Sequence, residues 1–177
     1  LIVGAPGDDT DNGAAWVYKR TAGTWDAGTK LTVSMGGEVD AKVGESVSIS
    51  SDGLTVILGA PSYSSNGVAY VFTYNGAAWV QYGDKLQAND FTVGMSGNTD
   101  MGRTVDISPD GNSVIFNAPG ENNGAGATWL FTYASAAWSQ IGNMITSGFT
   151  GGSENIAVMS NDSIVVGCPG HLTDIGG

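Results

Sequence analysis

The chain has 177 residues, with 28 Gly, 17 Asp plus Glu against 6 Lys plus Arg, and a formal net charge of −11. Phosphate recognition needs clustered Lys and Arg, so this balance excludes a nucleic-acid partner and argues equally against an anionic membrane surface. Apolar residues make up 41% of the chain but come in short runs, which excludes disorder and membrane insertion through a helix of roughly 20 apolar residues, and one Cys excludes an internal disulfide framework.

The first predicted strand ends in Gly4-Ala5-Pro6, because Pro has no N–H to continue a ladder. The loop "GDDTDNG" follows and gathers Asp8, Asp9, Asp11 and Asn12. These are hard oxygen ligands of the kind Ca²⁺ takes, though without a bidentate Glu at the right distance, and the competing reading is a solvated turn. A strand carrying Trp16 and Tyr18 on one face leads through a short turn to Trp25, and then a long Gly/Ser/Asp-rich loop begins. The segments "VGESVSIS" and "TVILGAP" alternate with period two around the Asp-Gly turn of "SSDG", which predicts a hairpin. Tyr63 lies in the next loop, Tyr70, Phe72 and Tyr74 share one face of the next strand, and "YNGAAW" turns the chain to Trp79. Beyond a loop containing Phe91 the same order returns: "MGRTVDIS", "SPDG", "SVIFNAP", a loop, then Trp129, Phe131, Tyr133 and Trp138. A degenerate copy, Ser153 to Ser160, precedes Asn161-Asp162-Ser163, a glycosylation acceptor sequence at a predicted hairpin turn that matters only in a secreted eukaryotic setting. The last motif, Gly167-Cys168-Pro169, puts Cys168 at an Ala position, where it reads as a small core residue.

The Gly-Ala-Pro motif therefore recurs in steps of 55, 58 and 50 residues, counting Asn117-Ala118-Pro119 as its third copy. Behind each of the first three copies a Gly is followed three residues on by an aromatic and nine residues later by Trp. A period near 50 residues marks a repeat protein, with units at 1–55, 56–113 and 114–163 and a fourth starting over 164–177. No segment has a 3.6-residue pattern, so the units are all-β. Four short strands per unit, with an aromatic stripe for sheet-on-sheet packing, predict antiparallel β-propeller blades; a β-solenoid is the alternative, but its repeats are usually shorter. About thirteen strands make a little over three blades, whereas propellers typically use about 4–8, so further blades of the same chain or other copies are expected to complete the ring. Asn117 in place of Gly suggests that this position needs positive φ.

The stretch "VGESVSISSDGLTVILGAPSYSSNGVAYVFTYNGAAW" resembles the FG-GAP type of repeat found in integrin α-subunits and many secreted microbial proteins. It is most similar to the variant whose first two strands join through a tight Asp-Gly turn. The resemblance covers essentially the whole chain. It implies a propeller, commonly of seven blades, that serves extracellular or cell-surface adhesion and recognition without catalysis. The Phe of Phe-Gly is replaced by Val43 and Met101, and the third copy has Ser153 in place of the Gly. The family's calcium loop is replaced by "SSDG", "SPDG" and "SND", so its calcium binding does not carry over and no cofactor is implied.

Two binding readings remain. Long, dissimilar loops share one face of a propeller, so this face is the expected surface for a protein or glycan ligand, against the plainer reading that surface loops tolerate variation. A carbohydrate-binding propeller would need exposed aromatics there, for which Tyr63 and Phe91 are the candidates. A hydrolase is disfavoured because His171 is the only His and stands without a reactive-Ser motif or an orienting partner.

Overall fold

Neighbouring residues of nearly every long strand are buried on opposite faces, and this alternation builds a series of stacked antiparallel sheets. The computed structural model describes residues 1–34, 36–91, 98–146, 155–158 and 163–167. The first sheet joins β1 (Ile2–Ala5), β2 (Ala14–Val17) and β5 (Thr29–Leu31), with β3 (Arg20–Thr21) and β4 (Thr24–Trp25) forming a small hairpin between the last two. The second is four-stranded in chain order: β6 (Val47–Ile49), β7 (Thr55–Ala60), β8 (Val68–Tyr74) and β9 (Trp79–Gln81). The third repeats that order with β10 (Val105–Ile107), β11 (Ser113–Ala118), β12 (Ala127–Ala134) and β13 (Ala137–Ile145). A hairpin of β14 (Asn155–Val158) and β15 (Ile164–Gly167) follows. Phased on the sheets, the units run from the first strand to the fourth, so boundaries at 55/56 and 113/114 fall within or at the edge of β7 and β11.

Local chemistry explains where strands stop. β7 and β11 both end at the Ala before Pro61 and Pro119, and β1 ends at the Ala before Pro6. The turn from β6 to β7 is built by Asp52, whose Oδ1 accepts from the Ser50 hydroxyl at 2.6 Å and from the Leu54 N–H at 2.9 Å. Asp110 repeats it, accepting from Ser108 at 2.6 Å and from the Asn112 N–H at 3.0 Å. The Asp-Gly turns are thus closed by their own carboxylates.

Each sheet has a bulky face and a smaller one. Val56, Leu58, Tyr70 and Phe72 of the second sheet are buried against Ala15, Val17 and Leu31 of the first. Ile57, Ala69 and Val71, on the opposite face, are buried with Val114, Phe116, Trp129 and Phe131 of the third. The aromatic face of one sheet therefore nests on the small-residue face of the sheet before it. Burial of these side chains is worth roughly 1.5–3 kcal/mol each and drives the stacking.

The two halves of the repeated motif meet across each seam. A Cβ on Gly4 would lie 1.9 Å from the carbonyl oxygen of Gly44, and one on Gly59 would lie 1.9 Å from that of Gly102. Neither Gly4, Gly59 nor Asn117 has positive φ, which corrects the expectation drawn from Asn117. Positive φ falls instead on the other half of the motif, at Gly44 (86°) and Gly102 (84°). Gly is required at Gly4 and Gly59 by close backbone approach, while Asn117 uses its side chain to accept from the Thr104 N–H at 2.8 Å.

Candidate functional site

The long-loop ends of adjacent sheets are tied together by backbone. The N–H of Val43 donates to the Asn12 carbonyl at 3.0 Å, and that of Met101 donates to the Asn66 carbonyl at 2.9 Å. Both ties form isolated parallel bridges, Gly13 with Val43 and Gly67 with Met101. Thr99 adds a hydroxyl bond to the Asn66 carbonyl at 2.6 Å, and Ser64 donates to Glu38 at 2.7 Å across the first of these seams. Loops of unlike sequence are thus held on a repeated frame.

The residues expected to bind are placed differently. Asp8 forms an ion pair with Lys30, whose ammonium also lies 5.0 Å from the centre of the Trp16 ring. Asp9 accepts from the Asn12 amide at 3.4 Å, and Asn12 accepts from the Asp40 N–H at 3.2 Å. Asp9, Thr10 and Asp11 all have left-handed backbones, with φ of 50°, 57° and 65°. Among the described residues no three His, Cys, Asp or Glu side chains converge as a metal site, so Asp8, Asp9, Asp11 and Asn12 are not assembled around one centre. The Asp8 and Asp9 carboxylates and the Asn12 amide serve the sheet and the loop instead.

Tyr63 is buried, which corrects its reading as an exposed platform. Its ring meets Tyr70 edge-on at 6.3 Å, and Lys85 sits 4.4 Å from the ring centre while donating to the hydroxyl at 3.1 Å. Burial, followed by the neighbouring Tyr63, pushes the Tyr70 phenol well above its ordinary value. Phe91 is half-buried and packs on the core between the second and third sheets, so it too is a packing residue. Asn161, Cys168 and His171 lie outside the described residues.

A feature that the residue-by-residue reading missed is a cleft of about 610 Å³ between the first and second sheets. It opens at the end carrying the tight turns, since Asp52-Gly53 and Ala77-Ala78 line it, and not among the long loops. Its walls include Val17 and Leu31 of the first sheet with Tyr74 and Trp79 of the second, whose rings stand 5.7 Å apart. Three of the chain's six cationic side chains border it, Lys19, Arg20 and Lys30, against the carboxylates Asp26 and Asp52. Both carboxylates are occupied by their own turns: Asp26 accepts from the N–H groups of Lys19 and Gly28 at 3.0 Å each, and Asp52 closes its hairpin.

The next seam shows why this space exists. There Tyr82 fills the matching position, its ring 4.1 Å from Tyr133 and 6.1 Å edge-on from Trp138, and its carbonyl accepts from the Trp138 indole at 2.8 Å. Burial and a hydrogen bond with Tyr133 push the Tyr82 phenol up to about 12. Between Trp and the following Gly, the second unit has Val80-Gln81-Tyr82, but the first has only Asp26-Ala27. One missing aromatic residue opens the cleft, and the repeat alignment contains that signal.

No family model matches the chain, and no curated protein matches it. Among solved structures it is similar to TolB from Acinetobacter baumannii, at 16% identity and a TM-score of 0.41. The match covers 90% of this chain and 36% of that one, so the chain spans little more than a third of that protein's length.

Proposed function

We propose that the chain is part of an FG-GAP-type β-propeller that works outside the cell as a non-enzymatic module for adhesion, recognition or surface assembly. The observation that carries this reading is the repeated seam. Val43-Gly44 and Met101-Gly102 stand where the first half of the FG-GAP motif would be, and their carbonyls lie against Gly4 and Gly59 of the second half in the preceding sheet. A motif whose halves meet across sheets suits blades stacked about a common axis. The same seams hold Asn12 and Asn66 at the long-loop end, which makes those loops a preorganised surface for a protein or glycan partner. Catalysis is disfavoured by the sequence, with His171 the only His.

The test is binding to arrays of extracellular-matrix proteins and glycans by the immobilised chain. Retention of a defined partner should be lost when Ser62, Ser64, Ser65 and Asn66 are replaced by Gly, with the buried Tyr63 kept and the circular dichroism spectrum unchanged. Binding that survives this replacement and the equivalent one at 8–12 would contradict the assignment of the long-loop face.

A further inference from the structure

The geometry points to a second binding site, independent of the long-loop face: the cleft between the first two sheets takes a small phenolic ring bearing an anionic group. The precedent is in the chain itself. At the next seam Tyr133 and Trp138 hold the ring of Tyr82, and Tyr74 and Trp79 occupy the same repeat positions beside the cleft. Trp138 donates its indole N–H to the Tyr82 carbonyl, while the Trp79 indole has no acceptor among the described residues and is available to a ligand. A ring entering this space would meet two aromatic side chains with an offset or edge-on approach, the arrangement that aromatic pairs favour. The volume of about 610 Å³ falls in the range of small-molecule sites and exceeds one tyrosine side chain, which leaves room for a substituent.

Charge selects the substituent. Lys30 is committed to Asp8 and Trp16, and Arg20 lies over Trp25 and donates to the Gly23 carbonyl. Lys19 has no ion-pair partner among the described residues, and Asp26 and Asp52 at the rim each turn one oxygen, Oδ1, to local N–H and hydroxyl donors, not to Lys19. In a chain of net charge −11, this rim is a place where an anion gains a cation.

The probe is para-hydroxyphenylpropionate, titrated into the full chain by calorimetry with phenol and glucuronate as comparators. Saturable binding of one probe per chain is expected, with phenol and glucuronate each weaker by about tenfold or more. Lys19→Glu, at an exposed side chain, should weaken the probe by about tenfold while leaving phenol unchanged. Tyr82→Ala should open the equivalent space at the second seam, where Thr73 stands at the repeat position of Lys19, and add a second, weaker site that takes phenol and the probe alike. Absence of saturable binding, equal binding of glucuronate, or an affinity unmoved by Lys19→Glu would overturn the proposal, whether or not Tyr82→Ala folds.

Discussion

Gly59 and Gly53 are both turn-forming letters in the sequence, yet they are needed for different reasons. Gly59 has an ordinary backbone but faces the Gly102 carbonyl so closely that a Cβ would lie 1.9 Å from it. Gly53 has φ of 72° with open space around it. Gly59→Ala should therefore force the two sheets apart and cost about 3 kcal/mol or more, while Gly53→Ala should cost about 1–2 kcal/mol from backbone strain alone. Urea unfolding of both variants checks this order, and equal losses would contradict the seam. The sequence marks both positions as special, but it cannot distinguish a tight approach from a left-handed turn, because the neighbour that makes Gly59 necessary lies more than forty residues away. The carboxylates carry a second expectation. Asp90 is raised by partial burial but lowered more by bonds from the Met144 N–H, the Gln140 amide and the Trp129 indole, so it sits below its ordinary value. The Ser108 hydroxyl leads the lowering of Asp110, against burial, with Asn112 assisting. A depressed folded value gives stability that is fully present above the unfolded value of about 3.9 and is lost as pH falls through the folded one. Stability should thus decline as pH falls below about 4, and Asp90→Asn, weaker at neutral pH, should decline less on the same descent. Parallel pH curves for the two proteins would refute this role.

Among the elements, the hairpins were the most legible, because alternation and Asp-Gly turns are local signals. The third-strand aromatics were also legible as one face: Tyr70 and Phe72 enter one core cluster, and Trp129 and Phe131 enter the other. The recurring Trp at the start of the fourth strand was less so. Equal spacing suggests equal packing, but Trp79 borders the cleft whereas Trp138 packs on Tyr82, because what fills each seam comes from the preceding unit. Trp129 is fully buried and donates to Asp90 at 2.8 Å. Trp129→Ala should accordingly cost about 3–5 kcal/mol, and Trp79→Ala only about 1–2 kcal/mol. Chemical denaturation of the two variants separates them, and a larger loss at Trp79 would mean that the cleft is closed in solution. Tyr63 illustrates the same limit on the binding side, since an aromatic in a polar loop looks exposed until Lys85 and Tyr70 are seen to enclose it.

At the scale of the molecule, the stack is asymmetric. Val56 and Leu58 are fully buried by the sheet before them, and Val114 and Phe116 likewise, whereas Leu1 and Val3, at the same repeat positions of the first sheet, are 56% and 44% exposed. Trp16 stands where Tyr70 and Trp129 are covered, but is itself only half-buried. The repeat supplies the shape that suits this face, the small-residue face of another sheet of the same kind, from the same chain or another copy. Aromatic and aliphatic surface of this sort seeks cover. The direct measurement is the solution mass of this chain by light scattering over a range of concentrations. Stacked sheets with an uncovered aromatic face predict self-association, with a mass above 18.0 kDa that rises with concentration. A stable, folded monomer at 18.0 kDa throughout would contradict the account and favour a stack of sheets complete in itself.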